Sequence, residues 1–581
     1  MGAMDRMHRL GRLFQTHPAA VTLVLAALLT AASYGGSLRN GFVWDDETLV
    51  VNNPYVHNLS RWPRYFLDPD SISSDQFIAK TYRPLQTLSL ALDQALWRDW
   101  SGGFHLTSLL IHLAACLAVF FLFTDVVGPG ASSVAAILFA VHPALSEGVL
   151  CLASRGGQLS ALLGLLASGL LLRVRRPFDA RHMIAVPTAA LAFFSKEPAI
   201  ALVALFPLLH AVLGRPWPFR SRRTWLLHAP FAAAALLYLA LRHRIVGSME
   251  VADYWGGSLM ATLQLQAKVF AIYLRLLLWP LHLQGRYSVA PLGPFPDAAA
   301  TAAVLLSLAL ILLSIVGLRK TGAPRLLSLA ALWFYVSLLP VSNLIPIPGS
   351  MLGERFIYFS FAGMFPLLVG AAATLPGRST RRALFAAGTI AAMAFVATDV
   401  ARTAVWRDNA AYFKVLASQE PDDPIVQIGM AGEEIKMGMP ESAVRRLERF
   451  LGAKGTAAYR GKLRYWYGVA LLRAGRSVEA YRQLRIVEGL TGVTTELALS
   501  LAEAAAASGD LKAARSILER AAKTDAANDA VWNGLGNVAW LSGDPRGAAT
   551  HYRRALQINA FNREAAINLE KVERALSPSS R

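Results

Sequence analysis

The chain has almost no cysteine. Cys116 and Cys151 are the only two among 581 residues, and both stand inside apolar stretches. That excludes a disulfide framework and every cysteine-based zinc spacing, and leaves each thiol as a small buried hydrophobe. Charge is also scarce, at 16% of residues, where a soluble domain carries roughly 25%. Acidic residues number 38 against 57 basic ones, and lysine is rare beside arginine, 11 against 46. No Walker loop, dinucleotide fingerprint or Ser-His-Asp nucleophile pattern occurs, so no soluble nucleotide site is visible.

What is present is apolar. Hydrophobic types make up 54% of the chain and mean hydropathy is +0.40. Mostly apolar runs of about 18 residues or more, long enough to span a bilayer, fill the first 400 positions and are missing from the last 180. This predicts an all-α chain: a polytopic membrane domain over residues 1–401, then a soluble domain over 402–581. The net charge of +19 does not signal nucleic acid. The basic residues cluster between apolar spans, where the positive-inside rule puts them.

Arg6, Arg9 and Arg12 precede the first run, 19–38, and place the N-terminus in the cytoplasm. Ala31-Ala32-Ser33 is weakly cleavage-like, but the many later spans favour an uncleaved anchor. Residues 39–103 form a long extracytoplasmic loop, in which Asn58-Leu59-Ser60 matches a glycosylation sequon. Further spans are expected near 104–124, 131–150, 158–172, 183–197, 198–213, 224–241, 297–318, 326–345, 356–375 and 383–400. The basic clusters at Arg173, Arg175, Arg176 and Arg181, at Arg215, Arg220, Arg222 and Arg223, at Arg319, Lys320 and Arg325, and at Arg378, Arg381 and Arg382 all fall inside only if 260–280 does not cross. Its Gln264, Gln266, Lys268 and Arg275 suit an interfacial or re-entrant segment. The expectation is about eleven transmembrane helices, with the C-terminal domain on the same outer side as the 39–103 loop.

Beyond 402, Gly475, Gly509 and Gly543 recur at intervals of 34 residues. Small residues recur with them: Gly468 with Ala480, Ala502 with Ala514, and Gly536 with Ala548. A period of 34 is that of tetratricopeptide repeats, which stack helix pairs into a solenoid with a concave binding face. Three repeats are clear, and a degenerate fourth surrounds Gly438, Ala443 and Leu447. Tyr465, Trp466, Tyr467, Trp532 and Trp540 are mostly repeat core.

Charged residues in or beside membrane spans are costly and therefore candidates for function. Four groups stand out, all on the outer side of this topology. The first is Asp45, Asp46 and Glu47 after the first span. A carboxylate against an apolar surface has a raised pKa that suits proton abstraction, and three acids together are able to hold a divalent cation, so metal dependence stays open. The second is Tyr82-Arg83-Pro84 with His105, where the arginine fork matches a phosphate. The third is His142-Pro143, Glu147 and Arg155, in which a Glu147–Arg155 ion pair is the structural alternative. The fourth joins Lys196-Glu197 to Glu354-Arg355, with Lys196 and Arg355 placed to neutralise a phosphate at the membrane surface.

The ordered set of these segments resembles a known family. Asn40-Gly41-Phe42-Val43-Trp44-Asp45-Asp46, Tyr82-Arg83-Pro84-Leu85 and Phe104-His105-Leu106-Thr107 are similar to the transmembrane and tetratricopeptide-repeat O-mannosyltransferases, a branch of the GT-C glycosyltransferases. So are Leu138 to Pro143 through Glu147 to Arg155, Ser195-Lys196-Glu197, Ser342-Asn343-Leu344-Ile345-Pro346 and Glu354-Arg355-Phe356. The resemblance implies a GT-C membrane fold, a polyprenyl-phosphate sugar donor, usually mannose, and Ser/Thr hydroxyl acceptors on proteins. Asp45 and Asp46 map onto the family's acidic pair, one being the catalytic base; which one the sequence leaves open. Arg83, Arg155, Lys196 and Arg355 would bind the donor phosphate. The composition is that of a bacterial member, which places the protein in the inner membrane with the active site and repeats in the periplasm and the repeats holding the acceptor polypeptide. A transferase acting on a lipid or glycan, and a non-enzymatic membrane scaffold, are the alternatives.

Overall fold

The structure is a computed structural model and describes residues 16–73, 81–212, 221–247, 254–287, 289, 292–293, 297–345, 350–452, 457–526, 528–559 and 562–577. Arg6, Arg9, Arg12, Arg215, Arg220 and Pro346 lie outside the described residues. The chain divides into two compact units, the first through Leu416 and the second from Ala417 onward.

The first unit is built from α1 (Pro18–Tyr34), α2 (Pro84–Trp97), α3 (Ser101–Val127), α4 (Pro129–Val141), α5 (Ser146–Leu150), α6 (Arg155–Leu172), α7 (Ala180–Ser195), α8 (Leu202–Val212), α9 (Arg222–Val246), α10 (Leu259–Leu278), α11 (Ala298–Gly317), α12 (Ala323–Leu338), α13 (Tyr358–Ala373), α14 (Arg378–Val405) and α15 (Asn409–Gln419). Among the described residues, eight helices are long and apolar enough to cross a membrane, or nine if α4 and α5, bent by 60° at His142-Pro143, count as one. The protein is an integral membrane protein.

Helix length does not give eleven crossings. Of the expected spans, α7 has 16 residues, α13 also 16, and α8 with its preceding turn is likewise short. Sixteen residues reach about 24 Å, less than a bilayer core of roughly 30 Å. Each carries a proline, Pro187, Pro207 or Pro366. Between α7 and α8 the backbone turns extended at Lys196 (φ −163°, ψ 140°). The segment expected to stay at the surface, α10, is instead a 20-residue helix with the length and apolarity of a crossing one. Two of its polar side chains are paired internally: Gln266 accepts from Asn343 at 3.2 Å and Lys268 meets Asp297 at 3.1 Å.

Small residues let these helices approach, as membrane helices require. A Cβ on Gly363 would sit 2.1 Å from the Trp333 ring, and one on Gly370 would sit 2.4 Å from Val127. The first unit extends past the change in composition at 401/402. α14 continues to Val405, Trp406 is buried, and Trp406 and Tyr412 pack ring on ring at 4.6 Å.

The second unit contains four helix pairs and a closing helix among its described residues. The pairs are α16 (Pro424–Lys436) with α17 (Pro440–Glu448), α18 (Ala457–Arg473) with α19 (Ser477–Thr491), α20 (Thr495–Ala507) with α21 (Leu511–Thr524), and α22 (Asp529–Leu541) with α23 (Pro545–Ile558); α24 (Arg563–Leu576) follows. Gly438, Gly475, Gly509 and Gly543 take left-handed φ between 75° and 93° at the turns within the pairs, which is why glycine recurs there. Ala480, Ala514 and Ala548 are fully buried where paired helices touch, and a Cβ on Gly536 would fall 2.4 Å from the Tyr552 ring. Tyr467 belongs to the core, Tyr465, Trp466 and Trp532 pack against it, and Trp540 is exposed.

Candidate active site

The acidic turn after α1 separates its three carboxylates. Asp46 points inward: its two oxygens accept from the Val43 amide at 3.1 Å and the Ala153 amide at 2.9 Å. Burial pushes this carboxyl up to about 7, against the lowering effect of those two amides. Asp45 points the other way, 26% exposed, with Oδ2 3.8 Å from the Arg355 guanidinium. Glu47 accepts from the Asn409 side-chain amide at 2.8 Å. The three carboxyls therefore diverge and do not fit a shared ion. Among the described residues no group of three or more His, Cys, Asp and Glu side chains is arranged to hold a metal.

Arg355, on the turn before α13, joins Asp45 to Glu147. Glu147 is buried at the start of α5 and accepts from the Arg355 main-chain amide at 2.9 Å and from its guanidinium at 3.2 Å. The Arg355 side chain stays 22% exposed. Lys196 and Arg355 both approach Phe356: the Lys196 Nζ is 5.8 Å from the ring centroid, and the Arg355 Cζ is 5.7 Å from it. The lysine makes no ion pair among the described residues. Burial, with Arg83 and Arg355 adding like-charge repulsion, lowers its pKa to about 7. Arg83 pairs with Glu197 at 3.0 Å and is 25% exposed. Glycine brings these pieces close: a Cβ on Gly156 would lie 2.8 Å from the Ser195 carbonyl, and one on Gly157 would lie 3.5 Å from Lys196 Nζ.

Asp45, Glu147, Lys196 and Arg355, far apart in sequence, thus share one partly exposed site of mixed charge, with Arg83 and Glu197 at its edge. Arg155 does not join it. Its guanidinium is fully buried and donates to Asp93, to the Phe104 carbonyl at 2.6 Å and to Ser108 Oγ at 3.1 Å and 3.3 Å. With its donors engaged it has no free face for phosphate, and the expected Glu147–Arg155 pair is replaced by Asp93–Arg155 and Glu147–Arg355. His105 contacts the Gly41 carbonyl at 3.3 Å, and His142 contacts the Leu277 carbonyl at 3.1 Å; both are buried braces. Tyr82 donates to the Phe66 carbonyl at 3.0 Å. Glu354 is buried against Arg402 at 2.9 Å and accepts from Tyr287 and the Gln284 amide.

The residues missed from sequence are Asp93, Arg402 and Asn409. A lone acid within Leu88 to Leu96, and Asp399 and Arg402 ending an apolar run, are signals of the kind that flag buried charge. Asn409 carried no such signal.

A tetratricopeptide-repeat family model matches residues 499–563. Protein O-mannosyl-transferase TMTC1 of Mus musculus is 37% identical over 155 residues, 24% of this chain and 16% of that protein. Protein O-mannosyl-transferase F38B6.6 of Caenorhabditis elegans is 25% identical over 363 residues, 59% of this chain and 50% of that protein. The chain thus spans half or less of the length of these curated relatives. Among solved structures, ArnT from Cupriavidus metallidurans bound to undecaprenyl phosphate aligns over 87% of this chain and 80% of its own at 11% identity, with a TM-score of 0.36, too low to establish a shared fold. In sequence the chain is similar to the protein O-mannosyl-transferases, and its C-terminal unit is a tetratricopeptide-repeat array.

Proposed function

We propose that this protein is a membrane glycosyltransferase of GT-C type. It moves a sugar, mannose, from a polyprenyl-phosphate donor to Ser or Thr hydroxyls of protein acceptors, with inversion. The observation that carries this is Asp45 facing Arg355 at 3.8 Å, with Lys196 nearby and in no ion pair among the described residues: a carboxylate and two cations at one partly exposed site. Sequence similarity to protein O-mannosyl-transferases supports the sugar and the acceptor class.

Asp45 is the base, because Asp46 has both oxygens bound to main-chain amides. Asp45 takes the proton from the acceptor hydroxyl as its oxygen attacks the anomeric carbon. The bond from that carbon to the phosphate oxygen breaks, and polyprenyl phosphate leaves. Arg355 and Lys196 stabilise the charge gathering on that phosphate, with Arg83 at the edge, in the manner of preorganised electrostatic catalysis. Asp46, Glu147, Glu197 and Glu354 hold these groups in place. The tetratricopeptide unit presents the acceptor polypeptide, and site and repeats both face the periplasm of a bacterial inner membrane.

The test is transfer of radiolabel from polyprenyl-phosphate mannose into host periplasmic protein by purified protein in detergent. Label in protein, lost in a folded Asp45→Asn variant, is the expected result. Label in lipid alone moves the acceptor to a lipid or glycan. No transfer from any lipid-linked sugar, with Asp45→Asn behaving as wild type in cells, leaves a scaffold.

A further inference from the structure

Trp44, the residue before Asp45, has φ of 54°, a left-handed conformation that a bulky side chain seldom adopts. Asn409, buried at the start of α15, holds it there. Its Oδ1 accepts from the Trp44 amide at 2.7 Å, and its Nδ2 donates to Glu47 Oε1 at 2.8 Å. One side chain therefore bridges the two ends of the four-residue turn that carries Asp45 and Asp46. The same segment is tied twice more: the Gly41 amide donates to the Arg407 carbonyl at 2.8 Å, and the Trp44 ring packs on Tyr412 at 5.4 Å.

We infer that Asn409 is a positioning residue for transfer. By fixing Trp44 and Glu47 it sets the direction of Asp45 toward the space before Arg355. It touches neither donor nor acceptor and acts only through the turn. The reason is geometric: an isolated left-handed tryptophan reverts to ordinary φ unless its surroundings over-determine it, and that reversion would swing the Asp45 Cα–Cβ direction away from Arg355. This inference rests on the transferase reading above.

The test compares Asn409→Ala, Asn409→Asp, and Asn409→Asp combined with Glu47→Gln, all as full-length protein in detergent, by kcat, KM for polyprenyl-phosphate mannose and thermal midpoint. Asn409→Ala leaves the Trp44 amide without its acceptor, and kcat is expected to fall about tenfold to a hundredfold with KM for the donor within about twofold. Asn409→Asp keeps that acceptor but sets a carboxylate against Glu47, and it also lowers kcat. In the double variant the introduced amide at 47 donates to the introduced carboxylate at 409, restoring the bridge with one bond reversed, and kcat recovers. An Asn409→Ala variant with unchanged kcat overturns the inference. So does a loss that the double variant does not recover and that tracks the thermal midpoint, which would be a folding effect. Absence of transfer by the unsubstituted protein overturns the transferase reading itself; transfer by that protein with an indifferent Asn409→Ala overturns the positioning role alone.

Discussion

Glu147 holds Arg355 at two points, accepting from its main-chain amide at 2.9 Å and from its guanidinium at 3.2 Å. The grip fixes both the backbone and the head of the arginine, with Asp45 3.8 Å from the same guanidinium. Glu147→Gln keeps an acceptor for the amide but removes the charge. Because the glutamate is buried, losing its charge weakens the hold on Arg355, which keeps only Asp45 at 3.8 Å as an ion-pair partner among the described residues. The expected outcome is a raised KM for the lipid-linked donor with a smaller change in kcat, read from initial rates over a range of donor concentrations.

Asp46 gives a pH dependence of stability. Its carboxyl titrates near 7 when folded because burial disfavours its charged form, against about 4 when unfolded. Between those values the unfolded chain has released its proton and the folded one has kept it, so stability falls as pH rises through that window and levels off above it. Asp46→Asn should flatten this slope, measured as the thermal midpoint in detergent at several pH values between about 4 and 8. A slope identical to wild type would count against the buried, protonated carboxyl.

Lys196 gives a pH dependence of binding. Burial and the neighbouring Arg83 and Arg355 lower its pKa to about 7, so it loses its charge as pH rises through that value. KM for a phosphate-bearing donor should rise over the same range. Lys196→Arg, whose charge persists, should remove that rise, while Lys196→Gln should show the weak binding at every pH. Equal profiles for wild type and Lys196→Arg would take Lys196 out of donor binding.

Arg155 is a stability residue. Removing it leaves Asp93 buried and unpaired, a loss of roughly 3–5 kcal/mol. Arg155→Ala should lower the thermal midpoint sharply, whereas Arg83→Ala, at a partly exposed pair, should lower it far less and act on transfer instead. A transfer defect in Arg155→Ala with an unchanged midpoint would restore Arg155 to the phosphate group.

The sequence by itself determined the all-helical membrane and repeat architecture, because hydrophobic run length and a 34-residue glycine period are local properties written along the chain. It also determined the residue types able to do chemistry: Asp45, Asp46, Arg83, Lys196 and Arg355 stand out because charge beside a bilayer is costly. Only the tertiary structure decided which of them meet. Asp45 and Asp46 are adjacent, yet one faces Arg355 and the other the Val43 and Ala153 amides, because successive residues of a helical turn point about 100° apart. Arg155 and Arg355 are equivalent as sequence signals. Their fates differ because α2 brings Asp93 against the first, which is fully buried, whereas the second, held by Glu147, keeps a partly exposed side chain. Ion-pair choice depends on distances across helices, and no local pattern encodes those.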